Sequence, residues 1–365
     1  MENNKIRIAY SCAGEGFGHA ARLVALAPLL EERYEMHYFV PEGLKRFLEE
    51  KLPSFTFYPL PHFSFVKKED RVQWIATSFK TVPQLIHFRA EVKKLQTNLR
   101  KLRIQAVLSD YDPYLSWAAK GAGIPVMQIN HPGIISRSFP INPFGWIPAL
   151  VSLFLEGPWT ERIHISFFQG DVGPLFRHSL FKYPIADGGY VLVNLKPAYR
   201  DPVLGVLRSM SGIQYKVFPT KDGNFEEALA GCSAVLSSAG HQIITEALIL
   251  GKPILVIPQK GQYEQQLNAW MLKQTKKGTF TTISRLRKDL PAFLKKLDEY
   301  RNVSTLPKGF TLKDGTRDLL YRIDEFLRKY TILPASSSLH FIPQRINVRR
   351  RGIKWVSLFQ PPCQS

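Results

Sequence analysis

The chain is poor in cysteine, in acidic residues and in long apolar runs. Of its 365 residues only Cys12, Cys232 and Cys363 are cysteines. The number is odd and no CxxC pair occurs, which argues against a disulfide framework or a zinc site and fits a reducing compartment. No stretch approaches the roughly 18 uninterrupted apolar residues of a spanning helix. The nearest, FGWIPALVSLFLEGPW at 144–159, is short and holds Pro148 and Glu156. The opening MENNKIRIAY is polar and runs straight into a strand, without the apolar core or cleavage site of a signal peptide. These absences predict a cytoplasmic protein. Aspartate and glutamate number 30 against 49 lysines and arginines, a formal net charge of +19. That imbalance favours an anionic partner: phosphates, nucleic acid or an acidic membrane surface.

What is present is a regular alternation of strand-like and helix-like stretches. IRIAY (6–10), MHYFV (36–40), FTFYPL (55–60), QAVLSD (105–110) and PVMQIN (125–130) read as strands. Between them lie helical patterns at 19–32, 43–51, 83–102 and 114–123, the first carrying Pro28, which should kink it or mark its end. Prolines punctuate 133–189, and the alternation resumes at GYVLVNL (189–195) and runs to about 330. This predicts an α/β chain of two doubly wound parallel-sheet halves. The expected division is a first domain at 1–165, a linker at 166–188, a second domain at 189–330 and a basic, partly disordered tail at 331–365.

In an open parallel sheet, ligands bind beyond the carboxyl ends of the strands. The loop CAGEGFGH lies at such an end. Its glycines, with Gly16 and Gly18 as candidate contacts, allow a close backbone approach, and the following helix N-terminus suits a phosphate or carboxylate. The G-x-G-x-G spacing departs from the dinucleotide fingerprint, and a tight structural turn would look the same. A helix N-terminus disfavours the charged form of a histidine placed there, so His19 is a candidate general base. Asp110 ends the fourth strand on the same sheet edge and could hold the imidazole tautomer. Asp112 competes for that part, and either aspartate could instead cap the next helix.

A second anion-site layout appears in VLSSAGHQIITEALILGKPILVIPQKGQYEQQLNAWML, 235–272. Ser238, Ala239, Gly240 and His241 form the turn after a strand, where hydroxyls and backbone N–H groups can meet a diphosphate. Glu246 lies in the following helix and could accept a ribose diol, or merely face solvent. Glu264, Gln265, Gln266 and Asn268 gather hydrogen-bonding side chains suited to sugar hydroxyls, as a polar loop would also do.

The pattern S-x-G…E-A-L…G-K-P…P…E-Q-x-x-N-A is similar to the donor-binding domain of GT-B glycosyltransferases. The relatives that can be named are the peptidoglycan lipid-intermediate N-acetylglucosaminyltransferase and the family-one UDP-glycosyltransferases. GEGFGHAAR and LSDYDPYLSWAAKGAGIPVMQINHPG resemble more closely a branch of uncharacterised bacterial and archaeal transferases. The resemblance spans about residues 6–130 and 186–330. It implies two Rossmann-like domains facing a cleft, the donor nucleotide sugar on the second and the acceptor on the first. It further implies that Glu246 binds ribose, Ser238, Ala239 and Gly240 lie at the phosphates, Gln265 binds the sugar with Asn268 nearby, and His19 with Asp110 activates the acceptor. The chain departs from the pattern in two places. VLVNLKPAYR replaces a glycine-serine loop, which makes Lys196 and Arg200 candidates for phosphate contact. His241 stands where a small or apolar residue is expected.

The implied reaction moves a sugar from a nucleotide-diphosphate sugar, expected to be a UDP-sugar, to a hydroxyl acceptor. No DxD pair stands where a metal-bridged diphosphate would need one and no His/Cys cluster has ligand spacing, so neither a metal nor any cofactor beyond the donor is expected. The basic helix with Lys93, Lys94, Arg100, Lys101 and Arg103, together with the apolar 144–159 stretch, suits a lipid-linked or cell-envelope acceptor and a peripheral position on the inner face of the membrane. The competing readings are a UDP-N-acetylglucosamine 2-epimerase-like enzyme, a non-catalytic scaffold, and a nucleic-acid binder using the tail at Arg349, Arg350 and Arg351, this last partner being disfavoured.

Overall fold

The computed structural model describes residues 5–14, 17–63, 67–68, 71–72, 74–137, 146–220 and 223–331. The tail at 332–365 and the candidate contact Gly16 lie outside the described residues.

In the first half β1 (Arg7–Cys12), α1 (Phe17–Glu31), β2 (Glu35–Val40), α2 (Glu42–Lys51) and β3 (Phe57–Pro59) alternate. A short hairpin, β4 (Lys67–Lys68) and β5 (Arg71–Val72), precedes the long α3 (Trp74–Lys101). Then come β6 (Ala106–Asp110), α4 (Pro113–Ala122), β7 (Val126–Asn130), α5 (Ile134–Arg137), α6 (Trp146–Glu156) and β8 (Glu161–His164). The six long-range strands pair in parallel in the order β3-β2-β1-β6-β7-β8. The central strands β6 and β7 are buried along their whole length, which is why they read as continuous apolar runs. Helix α1 continues three residues past the exposed Pro28 rather than ending there. Its face of Leu23, Leu26, Ala27 and Leu30 is buried in the core, and that packing outweighs the single backbone bond a proline forfeits.

The second half repeats the plan. It consists of β9 (Tyr190–Asn194), α7 (Pro197–Arg208), β10 (Gln214–Phe218), α8 (Phe225–Gly231), β11 (Ala234–Ser237), α9 (His241–Ile249), β12 (Ile254–Val256), α10 (Tyr263–Gln274), β13 (Gly278–Phe280), α11 (Leu286–Leu294), α12 (Leu297–Arg301) and α13 (Thr316–Tyr330). Its five strands are parallel in the order β10-β9-β11-β12-β13. In each sheet the strand order reverses at one point, between β1 and β6 and between β9 and β11. A ligand crevice is expected at each.

The connecting segment belongs to both cores. Ile165, Val172 and Leu175 pack in the first, and Phe167, Phe168 and Leu180 in the second. The end of the chain departs from the sequence-based division, which set everything from 189 to 330 in the second domain. Leu319, Leu320, Ile323, Phe326 and Leu327 of α13 are buried in the first core, against residues of β1, α1 and β2. The helix is amphipathic, and its apolar stripe finds a complementary face on the first domain. Tyr34 hydrogen-bonds Asp324, and Arg33 pairs with it at 2.8 Å. Among the described residues no helix is long and apolar enough to cross a membrane.

Phe326 is 1% exposed. Phe326→Ala should therefore destabilise the first domain by about 3–5 kcal/mol. Urea denaturation followed by fluorescence checks this. An unchanged midpoint would mean that α13 is not part of that core.

Candidate functional site

The two switch points carry the predicted residues. At the first, Cys12 and Asp110 are register partners at the ends of β1 and β6, and Ala13 N–H donates to the Asp110 carbonyl at 2.9 Å. The glycine loop therefore starts beside Asp110. At Gly14 the backbone passes close to His62: a Cβ there would sit 2.7 Å from the ring. Helix α1 begins at Phe17, so Gly18 lies in its first turn rather than in the loop, with open space where a Cβ would be. That turn carries His19 back over the strand ends. Its Nδ1 lies 2.8 Å from Asp110 Oδ1.

Asp112, not Asp110, caps α4, accepting from Tyr114 N–H at 3.1 Å and Leu115 N–H at 2.9 Å. Asp110 is left for the site. It is fully buried and also receives Arg22 Nη1 at 2.5 Å on Oδ1, with Tyr10 Oη 3.5 Å from Oδ2. Burial works against the charge, yet the Arg22 guanidinium and then His19 hold the Asp110 carboxyl below its ordinary value. Tyr111 follows at φ +64°, a left-handed conformation uncommon for an aromatic residue. Its ring lies parallel to that of His19, with centroids 6.2 Å apart, and its hydroxyl donates to Ser152 Oγ at 3.1 Å. The backbone strain at Tyr111 is thus offset by a stacked, hydrogen-bonded side chain.

At the second switch point Ser237 Oγ bridges to the Asn194 carbonyl at 3.0 Å, and the Ser238-Ala239-Gly240 turn leads into α9. Gly240 is the N-cap residue, and His241, 5% exposed, is the first residue of the helix. Asn268 of α10 is fully buried and commits both ends of its amide. Its Nδ2 donates to the Ala239 carbonyl at 3.0 Å, and its Oδ1 accepts from His131 Nε2 at 2.8 Å. Gln265 Oε1 accepts from Gln259 N–H at 2.9 Å and so shapes the loop before α10. Glu264 has its carboxyl raised by burial, and feels His19, Arg22 and Asp110 from the other domain. Glu246 is buried and held by Arg177, which donates to both carboxylate oxygens at 2.7 and 2.6 Å, while Gln242 adds a bond at 2.8 Å. A ribose diol would have to replace one of these partners. Arg200 pairs with Asp201 at 3.2 Å, and Lys196 is the N-cap residue of α7.

The structure therefore brings His19, Asp110, Glu264, Asn268 and His241 to one seam between the domains. Three residues were not singled out from sequence, Arg22 and His131 at the seam and Arg177 beside Glu246. Arg22 had a readable signal, being one turn from His19 on the same helix, and His131 lies in the MQINHPG stretch. Arg177 had none. His131 comes from the loop after β7, places Nδ1 3.0 Å from the Ile165 carbonyl oxygen, and stacks on His241 with centroids 3.7 Å apart. Arg177 comes from the connecting segment and reaches Glu226 as well, at 3.1 Å. Among the described residues no group of three His, Cys, Asp or Glu side chains is disposed to hold a metal.

A family model described as glycosyl transferase family 1 matches residues 6–141 and 207–298. Solved structures with the same architecture include the glycosyltransferase of kitacinnamycin, 16% identical with a TM-score of 0.57, over 88% of this chain and 98% of that one. Acinetobacter baumannii MurG is 14% identical with a TM-score of 0.52, over 88% and 99%. Phytolacca americana UGT2, solved with UDP-2fluoro-glucose and pterostilbene, is 15% identical with a TM-score of 0.56, over 89% and 100%. No curated protein matches the chain in sequence. The fold is GT-B.

Burial is the largest cause pushing the His131 imidazole down to about 3. A histidine neutral in the native state but protonated when unfolded makes stability fall as pH drops below about 6.5, until the native group itself titrates. Each such group contributes a slope of up to about 1.4 kcal/mol per pH unit. His131→Gln should flatten the loss of stability between pH 6.5 and 4 relative to the unsubstituted protein. Urea midpoints measured across that range check this, and parallel curves for the two proteins would contradict it.

Proposed function

The chain belongs to glycosyl transferase family 1 and is a glycosyltransferase; we propose that it moves a sugar from a nucleotide-diphosphate sugar, a UDP-sugar, to a hydroxyl acceptor by direct displacement without a metal. The observation that carries this reading is the 2.8 Å contact of His19 Nδ1 with a buried, ionised Asp110 at the mouth of the seam. With Nδ1 turned to the carboxylate, Nε2 is the nitrogen that can take a proton from the acceptor hydroxyl as its oxygen attacks the anomeric carbon. Asp110 fixes the tautomer and stabilises the imidazolium that forms. The turn at Ser238 to His241 and the N-terminus of α9 receive the charge that builds on the leaving diphosphate. The UDP-2fluoro-glucose of the Phytolacca americana UGT2 complex supports a uridine nucleotide.

A lipid-linked or cell-envelope acceptor is supported by the surface of the first domain. Leu150 and Phe154, one turn apart on α6, are 62% and 40% exposed, and Ile86 of α3 is 71% exposed. Phe154 packs its ring on Phe88 of the same α3, which joins the two helices. Lys93, Lys94, Arg100, Lys101 and Arg103 are exposed along and just beyond α3. Apolar side chains beside a row of cations fit an anionic membrane surface.

His19→Ala should lower turnover by about 100- to 10,000-fold, the usual share of general-base assistance, while donor binding survives. The substrates are to be found first by screening nucleotide sugars for thermal stabilisation. Unchanged turnover in the variant would remove His19 from the reaction, and a rate abolished by EDTA would remove the metal-free mechanism. In a flotation assay the protein should rise with vesicles containing phosphatidylglycerol at low salt and sink at high salt. Leu150→Ser with Phe154→Ser should weaken flotation, and a protein that never floats speaks against the membrane-bound acceptor.

A further inference from the structure

The mechanism above gives the buried Arg22, which pairs with Asp110, no contact with a substrate. Arg22 lies on α1 one turn beyond His19 and is 4% exposed. Its Nη1 and His19 Nδ1 meet the same oxygen of Asp110, at 2.5 and 2.8 Å. An arginine serving only to neutralise that carboxylate would fork across both oxygens. Here the second oxygen faces Tyr10 instead, and Arg22 Nε has no hydrogen-bond partner among the described residues. A buried N–H left this way is unfavourable and gains from an acceptor.

The other side of the seam is deficient in the same sense. Helix α1 packs against α9, whose first residue, His241, is 5% exposed. Neither ring nitrogen of His241 has a hydrogen-bond partner among the described residues. Burial first, then His131 and Arg22, keep its imidazole neutral. The first backbone N–H groups of α9 have no acceptor within the helix and carry its positive dipole end. A guanidinium N–H, an imidazole and a helix N-terminus thus meet at the seam, each with hydrogen-bonding capacity unused among the described residues. Glu264 of that domain acts on Arg22 through space and accepts its hydrogen bond from Asn268, at 3.5 Å, so it leaves Arg22 Nε unbonded.

We propose that Arg22 is the first domain's contact with the donor diphosphate, binding it opposite His241 and the N-terminus of α9. The inference rests on the nucleotide-sugar reading above. In the transfer, the bond between the anomeric carbon and the diphosphate oxygen breaks, and its electron pair stays on that oxygen. The acceptor oxygen bonds to the anomeric carbon, and its proton passes to His19 Nε2. Arg22 offers a fixed positive charge to the departing oxygen. Because Arg22 and His19 share Asp110 Oδ1, the two charges are coupled. As the diphosphate draws Arg22, that oxygen becomes available to the imidazolium forming on His19.

The test measures binding of UDP, uridine and inorganic pyrophosphate to the full chain by calorimetry. Arg22→Gln should weaken UDP and pyrophosphate by about 10- to 100-fold, the worth of one charge-assisted hydrogen bond, and leave uridine unchanged. Arg22→Lys should recover part of the loss. Since Arg22→Gln strips Asp110 of its cation, the double variant with Asp110→Asn, which removes the uncompensated charge, is measured beside it. UDP and uridine weakened by one common factor, or UDP binding unchanged, would overturn the proposal while the donor reading stands. Wild-type protein that binds pyrophosphate but no nucleotide would overturn the donor reading, with Arg22 still judged on pyrophosphate. Wild-type protein that binds neither overturns both.

Discussion

The carboxylate of Asp110 is the group around which the strand-end edge of the first domain is arranged. A buried negative charge is tolerated only when paired and hydrogen-bonded, and breaking such a pair typically costs about 3–5 kcal/mol. Here the pairing is done by two residues of one helix turn, His19 and Arg22. To satisfy Asp110, α1 must present that face to the end of β6, which fixes its rotation and brings the glycine loop over the switch point. The requirement that holds the fold together locally is thus the one that places the His19 imidazole at the strand ends.

The second constraint is the seam. Asn268 ties the Ala239 carbonyl of its own domain to His131 of the other, and His131 is itself held by Ile165 at the start of the connecting segment. Side chains inside the seam are buried as deeply as those of the cores. Burial there disfavours charge on His131 and His241, and two charged rings 3.7 Å apart in a dry interface would repel. The chain also crosses the boundary twice, once at 165–180 and again to deliver α13 to the first core. Two crossings limit how the domains can part and favour a hinge over free separation. Opening that hinge would expose the orphaned donors of Arg22 and His241 to a ligand.

Much of this architecture was legible in the residues. The strands are buried on both faces, so their apolar runs stand out, and the helices between them carry capping and stop signals at either end. His19 and Asp110 could be linked because parallel strands place their carboxyl ends on one edge, which makes residues 91 positions apart neighbours by rule. The cap of α4 shows where that reading needed coordinates. Both aspartates in SDYD had the chemistry to cap, and only the backbone turn at Tyr111 sends Asp112 to the helix and Asp110 to the histidine.

The roles of Glu246, Asn268 and α13 were of a different kind. Motif position marked Glu246 and Asn268 as ligand contacts, yet folding surrounds the first with Arg177 and Gln242 and commits the second to a bond between domains. An amphipathic stripe made α13 a helix without naming the surface it would cover, since any complementary apolar face satisfies the stripe equally. Local order and the edge on which the chemistry lies follow from periodicity and covalent connectivity, which a linear chain displays. Which polar group answers which across a closed seam depends on through-space distance and exclusion of water, and those exist only once the two domains have met.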